Sequence, residues 1–494
     1  MSGLLVAGTS SDAGKSLVVA GLCRVYARRG IDVVPFKAQN MSNNSMVVGD
    51  GEIGRAQYLQ ATAAGVEPCT AMNPVLIKPG TDRRAHVVLR GQPDGTLEAG
   101  QYATGRRHLA EAAFAAYREL EQRHELVVCE GAGSPAEINL RVGDYVNMGL
   151  ARQFDLPVVL VGDIDRGGML ASLYGTWALL DEPDRTLLAG YIVNKFRGDP
   201  EVLAPGLTEI SRRTGLRSFG VLNWLDGVWL DSEDALAIGG WGRGAQTTNP
   251  LQVAVLRFPR VSNATDVDAL AAEPGVRVEV TADPQVALEA DLLVLPGTRA
   301  TTDDLAWLRH LGLDEVVLRR HALGRPVLGI CGGYQMLGEL VADEVEGSRT
   351  GEVPGLGLLP VRTDFGADKV LARPSGSWQG LTTQGYEIHH GIVSRTDRGL
   401  TDLPSEQRPE PFLDGWRVGA TWGTLWHGAL EHDAFRRGWL ARVAQDAGHP
   451  WRPWPDAPGY AERREAMITT LADALESQVD VDALLDLTTR SQED

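Results

Sequence analysis

Leu4-Leu5-Val6-Ala7-Gly8-Thr9-Ser10-Ser11-Asp12-Ala13-Gly14-Lys15-Ser16 carries the reading of the first half of the chain. Four apolar residues make a strand, glycines bracket a polar loop, and Lys15-Ser16 lead into the helix-compatible run Leu17 to Arg28. Strand, glycine loop and helix in that order form a phosphate-binding loop, whose backbone N–H groups and helix N-terminus face the phosphates. Lys15 sets a point charge at the β- and γ-phosphates, and the Ser16 hydroxyl suits Mg2+. The spacing is G-x5-G-K-S, one residue longer than the ordinary loop. The competing reading is a glycine-rich turn with a chance lysine, against which the flanking strand and helix weigh.

Working outward, short Val/Leu/Ile runs alternate with longer helix-compatible stretches, the pattern of parallel sheets with crossover helices. Strands are expected at Leu4 to Ala7, Ile31 to Phe36, Glu125 to Cys129, Val158 to Val161 and Leu187 to Val193. A Gly-rich polar stretch ending Gln246-Thr247-Thr248-Asn249-Pro250 breaks the alternation, and strands resume at Gln252 to Leu256, Val278 to Val280, Leu292 to Leu295 and Val327 to Ile330. The fold class expected is α/β, with two doubly wound parallel-sheet domains and a C-terminal helical tail. The divisions are 1–235, a linker at 236–250, 251–436, and an extension at 437–494 in which Met467, Ile468, Leu471 and Leu475 share one helical stripe.

Further residues sit where strands of such a sheet end. Glu130, in Val127-Val128-Cys129-Glu130-Gly131, is a carboxylate at a strand's carboxyl end and the second candidate Mg2+ ligand after Ser16. Asp163 ends another strand and is a third candidate, with turn capping as its alternative. Asn194, in Val193-Asn194-Lys195, is placed to read an adenine edge. The candidate ATP-binding set is therefore Gly8, Thr9, Asp12, Gly14, Lys15, Ser16 and Asn194.

The second half turns on Pro326-Val327-Leu328-Gly329-Ile330-Cys331-Gly332-Gly333-Tyr334-Gln335. Glycines around Cys331 permit the strained turn of a nucleophile elbow, and a helix N-terminus favours the thiolate. Gly297, in Leu295-Pro296-Gly297-Thr298, could join Gly332 in offering N–H groups to an oxyanion. His427, in Leu425-Trp426-His427-Gly428-Ala429, is the preferred base over His389 and His390.

Composition narrows the function classes. Across 494 residues, 47 Lys and Arg oppose 65 Asp and Glu, a net charge of −18 with no dense basic cluster, which argues against a nucleic-acid partner. No window has the length of a membrane span and the N-terminus lacks a basic leader, so a cytoplasmic location without membrane partners is expected. The four cysteines are far apart, with no C-x-x-C pair, and suggest neither disulfides nor zinc. Oligomeric state has no signature here.

The loop G-T-x-x-x-x-G-K-S resembles that of the dethiobiotin synthetase group of ATP-dependent ligases. With the Cys331 elbow and His427, the second half resembles a class I glutamine amidotransferase, but Ala429 stands where that class usually has a glutamate. The acid orienting His427 is then absent or comes from elsewhere, a departure shared with the cobyric acid synthases. Phe36 to Ser45, Met72 to Pro79 and Ile138 to Met148 resemble signatures of that family. The resemblance implies ATP- and glutamine-dependent amidation, with Mg2+, of carboxylates b, d, e and g of adenosylcobyrinic acid a,c-diamide. Beside the resemblance, Asp144 is expected to act near the reacting carboxylate, through metal, water or ammonia, with turn capping as its alternative. Two readings stay open beside it: a cobyrinic acid a,c-diamide synthase, and a partitioning-type P-loop ATPase with a non-catalytic second domain.

Overall fold

The computed structural model describes residues 2–49, 51–80, 84–98, 107–228, 247–347, 351–396 and 408–490. Most of the expected linker, 236–246, lies outside the described residues.

In the first half, β1 (Ser2–Gly8), α1 (Lys15–Arg28), β2 (Val33–Phe36), α2 (Arg55–Ala64), β3 (Leu126–Glu130), α3 (Met148–Phe154), β4 (Val158–Asp163), β5 (Leu188–Phe196) and β6 (Arg217–Asn223) follow in order. The six strands make one parallel sheet in the order β6-β5-β4-β1-β3-β2. Side chains alternate across it, Leu5 and Ala7 packing into one core and Leu4 and Val6 into the other, which is why these strands read as continuous apolar runs. Sequence order reverses on either side of β1, so its carboxyl end is the crevice where such sheets bind ligands.

The second half builds β7 (Leu251–Leu256), β8 (Val276–Thr281), β9 (Leu292–Leu295), β10 (Val327–Ile330), α4 (Gly332–Leu337), β11 (Glu410–Phe412), β12 (Gly415–Val418) and β13 (Thr421–Thr424). Their order is β8-β7-β9-β10-β13-β12-β11. This sheet is not parallel throughout, because β11, β12 and β13 form an antiparallel meander at one edge. The parallel pairing of β10 with β13 sets Ile330 beside Thr424, and so the Cys331 turn beside the His427 loop.

α5 (Asp433–Ala447) spans the expected division at 436 and buries Phe435, Trp439, Leu440 and Val443 in the second core. Beyond it the chain returns to the first half. In α6 (Tyr460–Gln478), Met467, Ile468, Leu471 and Leu475 pack against Leu22, Val25 and Tyr26 of α1. Burying each large apolar side chain contributes about 1.5–3 kcal/mol, so the stripe ties the end of the chain firmly to α1. Gly21 allows the approach, since a Cβ there would come within 2.2 Å of Leu475 Cδ1. α7 (Val481–Arg490) completes the same core through Leu484.

The halves also join directly. The Ser45 N–H donates to Asn263 Oδ1 at 2.9 Å, and the Ala264 N–H donates to Asn44 Oδ1 at 3.1 Å. Arg55 of α2 pairs with Glu431, which accepts a second hydrogen bond from Arg464 of α6 at 2.9 Å. Burial alone would raise the Glu431 pKa, but Arg55 and Arg464 outweigh it and bring it down to about 2. Among the described residues no helix is long and apolar enough to cross a membrane.

Candidate functional site

β1 ends at Gly8, and the following N–H, of Thr9, donates to Val161 O at 3.0 Å, which pins the loop to β4. Positive φ at Asp12 (58°) and Gly14 (92°) turns the chain into α1. Glycine at 14 serves a second need, since a Cβ would meet Asn194 Nδ2 at 2.1 Å. Lys15 Nζ reaches back across the loop to Ser10 O at 3.0 Å and across to Gly133 O at 3.1 Å, which sets an ammonium at the loop's mouth.

Beneath it lies a buried carboxylate with three kinds of donor. Ser16 Oγ donates to Glu130 Oε1 at 2.6 Å, Lys37 Nζ donates to the same oxygen at 2.8 Å, and Gln60 Nε2 donates to Oε2 at 2.6 Å. Above this cluster a cavity of about 380 Å³ is lined by Asp12, Lys15, Lys37, Asn40, Arg141 and Asp144 among others. Its basic side chains and its place at the sheet's carboxyl edge suit a polyphosphate.

Three expected residues are held by bonds within the fold. Asn194 Nδ2 donates to Ala13 O at 2.9 Å and its Oδ1 accepts the Lys195 N–H at 2.8 Å, so its side chain braces the phosphate loop instead of standing free for a base. Asp163 accepts from Lys195 Nζ at 2.7 Å and from the Asp165 N–H at 2.9 Å, so its carboxylate caps the turn after β4. Asp144 lines the cavity, but its carboxylate accepts the N–H groups of Val146 (2.8 Å), Asn147 (3.0 Å) and Gly149 (2.8 Å). It caps the entry to α3, and that geometry supports a positioning role in place of the chemical one expected.

In the second half Cys331 follows β10 with φ 50° and ψ −110°, a strained conformation for a non-glycine residue. Its N–H donates to Thr424 O at 2.8 Å, and the chain leaves at once into α4. Two glycines make room: a Cβ at Gly332 would lie 2.5 Å from Thr298 Cγ2, and one at Gly297 would lie 2.8 Å from His427 Cε1. The Pro-Gly turn after β9 and the cysteine turn after β10 are therefore packed against each other, with His427 beside them.

His427 is fully buried, and its Nδ1 lies 2.6 Å from Asp266 Oδ2. Asp266 Oδ1 also accepts the Gly428 N–H at 2.8 Å, which fixes the carboxylate against the histidine loop. Tyr386 holds the other side: its ring stacks on the imidazole at 5.4 Å, and the Tyr386 and His427 backbones exchange two hydrogen bonds of 2.9 Å. Burial by itself would lower the His427 pKa, but Asp266 and Cys331 both favour the imidazolium and raise it. The acid missing at Ala429 is thus supplied by Asp266, from the short turn Ala264–Val267 after β7.

A narrow cavity beside Cys331 is lined from both halves, by Asn43 and Lys78 of the first and by Asn263, Arg299, Glu346 and His389 of the second. Lys78 donates to Ser45 Oγ at 2.8 Å and pairs with buried Glu52, which Lys369 also contacts. Burial pushes the Lys78 pKa down to about 7, further than Glu52 raises it. His389, driven by burial to about 4, is neutral here, in keeping with a lining role.

Sequence reading missed Lys37 and Asp266. Lys37 stands just after β2 in a stretch already quoted, and its strand-end position beside β3 was the available signal. Asp266 had none, since Asp266-Val267-Asp268 offers two carboxylates in a turn and only the fold selects one.

Residues 4–236 match the CobQ/CobB/MinD/ParA nucleotide binding domain, and residues 252–435 match the CobB/CobQ-like glutamine amidotransferase domain. The chain is 66% identical to a cobyric acid synthase of Cutibacterium acnes, with 99% of this chain and 100% of the relative covered. It is 55% identical to one of Mycolicibacterium gilvum, with 99% and 96% covered, and 54% identical to one of Mycobacterium tuberculosis, with 99% and 97% covered.

Proposed function

The chain belongs to the cobyric acid synthase family, glutamine-dependent amide-forming ligases of cobalamin biosynthesis, and from that premise we propose that it converts carboxylates b, d, e and g of adenosylcobyrinic acid a,c-diamide to amides. The observation that carries this reading is the pairing, in one chain, of a lysine-lined phosphate cavity with a buried Cys331–His427–Asp266 array.

A carboxylate is a poor acyl donor, so its oxygen takes the γ-phosphoryl group of ATP, with release of ADP, to give an acyl phosphate. Lys15 at the loop's mouth and Lys37 on the cavity wall offset the charge of the transferring group. Ser16 and Glu130 would hold Mg2+: a hydroxyl and a carboxylate 2.6 Å apart fit an ion that completes its shell with phosphate oxygens and water. Mg2+ would supply further charge neutralisation there.

At the other site, His427 takes the Cys331 proton and the sulfur attacks the amide carbon of glutamine, with Asp266 holding the imidazole by Nδ1. The N–H groups of Gly297 and Gly332 would face the oxyanion. Collapse, with the His427 imidazolium giving its proton to the leaving nitrogen, releases ammonia and leaves a thioester; water, deprotonated by His427, cleaves it to glutamate, and the proton returns to the sulfur. Arg299 and Glu346, of opposite charge in the Cys331 cavity, suit the α-carboxylate and α-ammonium of glutamine. Ammonia then displaces phosphate from the acyl phosphate and loses a proton to give the amide.

The test is mass spectrometry of adenosylcobyrinic acid a,c-diamide incubated with the protein, ATP, Mg2+ and glutamine. Four successive losses of about one mass unit, each exchanging OH for NH2, are expected. An unchanged corrinoid with ATP consumed would reject the reading.

A further inference from the structure

The rim of the phosphate cavity carries an apolar surface that the chemistry above does not use. Met41 is 45% exposed, Ile138 55%, Leu140 37% and Val142 fully exposed, one apolar side chain on the strand Gln39–Met41 and three on the turn Ile138–Gly143. Met41 and Leu140 also line the cavity, so the surface continues out of it. Leaving such groups in water forgoes the gain of burying them, and exposed apolar groups beside an active site mark a ligand surface.

The patch is also rigidly built. The turn Ile138–Gly143 is clamped by Arg141, whose guanidinium donates to both carboxylate oxygens of buried Asp184 at 2.7 and 2.8 Å. Asp144 caps its far end, and the Tyr145 hydroxyl donates to Gln39 Oε1 of the strand that carries Met41. The Tyr145–Gln39 hydrogen bond ties the two segments together, and all four apolar side chains on them are exposed to solvent.

We propose that this patch is the ledge on which the corrinoid ring rests, with one peripheral carboxylate at a time reaching into the cavity. The inference stands on the function proposed above. A single phosphate site that amidates four carboxylates must receive one macrocycle in four orientations, and a pocket moulded to the ring would accept only one of them. An open apolar ledge does not discriminate, because hydrophobic contact has no direction, while the polar groups within the cavity fix the reacting arm. Its continuity with the cavity and the macrocycle's apolar faces together identify the occupant.

The test compares Val142→Asp, Val142→Leu and Ile138→Ser with the parent chain, using adenosylcobyrinic acid a,c-diamide as the probe. Val142→Asp and Ile138→Ser should each raise the corrinoid KM about tenfold. They should leave the KM for ATP near its parent value and weaken corrinoid binding, followed by its visible absorption, without ATP present. Val142→Leu, which keeps the apolar contact, should stay near the parent. Unaltered corrinoid KM and affinity in both disrupted variants, in an active parent enzyme with unchanged melting curves, would overturn the ledge. So would loss of self-association in sedimentation with corrinoid KM unmoved, since the patch would then contact a second copy. A parent chain that amidates no corrinoid would instead reject the proposed function.

Discussion

Asp266 Oδ2 lies 2.6 Å from Nδ1 of His427 although 161 positions separate the two residues, and no other carboxylate is needed to orient the imidazole. Asp266→Asn keeps the shape of the site but can present an N–H to Nδ1, stabilising the wrong tautomer. Glutamine-dependent turnover should fall about 10²–10⁴-fold. Synthesis from added ammonia should persist, as it should in Cys331→Ala, because neither residue belongs to the phosphate cavity. Initial rates with each nitrogen source check this, and equal loss with both would contradict a separate nitrogen-supplying site.

The turn that carries Asp266 is gripped by the other half of the chain, through Ser45 to Asn263 and Ala264 to Asn44. Asn44→Ala removes the acceptor of a buried N–H at a cost of about 1–3 kcal/mol and loosens the turn. The expected result is a several-fold drop in glutaminase kcat, with Cys331 still alkylated by iodoacetamide. A glutaminase rate equal to the parent's would show that the turn holds Asp266 without help from the first half.

How much of this was legible beforehand follows from where each signal resides. Lys15, Ser16 and Cys331 can be nominated from sequence because a strand's end and a helix's start adjoin there, and Glu130 because it closes the apolar run Leu126–Glu130. His427 is nominated by its place beside a glycine turn, but nothing in the sequence nominates Asp266, because their meeting depends on β7, β10 and β13 lying side by side. Asn194, Asp163 and Asp144 stand at strand and turn ends, where sequence alone does not separate a chemical duty from a capping one. Their oxygens and amides are taken up by Ala13, Lys195 and the α3 entry, partners that only packing reveals. The edge meander β11 to β13 escaped because its strands are three or four residues long and rich in Trp, Gly and Thr.

Lys37 shares Glu130 Oε1 with Ser16 and lines the phosphate cavity. Lys37→Met keeps the length of the stem and removes the charge, leaving Glu130 its hydrogen bonds from Ser16 and Gln60. Synthesis should fall at least about 10²-fold with either nitrogen source, as expected when one fixed charge facing a transferring phosphoryl group is lost. Lys15→Ala should behave alike. A Lys37→Met protein with normal ammonia-dependent synthesis would place Lys37 outside the reaction.

Glu431 joins Arg55 of the first half to Arg464 of α6, and its pKa is held at about 2, below the value of about 4.3 for an unpaired glutamate. Its contribution to stability is therefore full above about 4.3 and is lost as the pH falls towards about 2. Glu431→Gln should cost about 3 kcal/mol at neutral pH, because two largely buried guanidinium groups lose their counter-charge. Thermal melts should show the largest gap between parent and variant above pH 5, narrowing steadily in more acidic buffers. A gap that stays constant down to pH 3 would mean that the stabilisation is not the carboxylate's.

Asp144 gives the sharpest choice between chemistry and architecture. Its carboxylate receives three backbone N–H groups and so fixes the start of α3 and the turn that supplies Leu140 and Arg141 to the cavity wall. In Asp144→Asn, the amide can keep two of these bonds on Oδ1, but its NH2 then confronts the Gly149 N–H, leaving a donor unsatisfied at about 1–3 kcal/mol. The wall should shift, lowering turnover several-fold while the KM for ATP changes little, because the phosphate loop is built from other segments. Partly amidated corrinoids should accumulate, since a site that must accept the ring four times suffers the defect four times. A positioning role leaves the shape of the pH–rate profile intact and lowers the melting temperature. If the variant instead lost the acidic limb of the profile with no change in stability, Asp144 would be acting as a base on incoming ammonium, and the capping geometry would be secondary to that role.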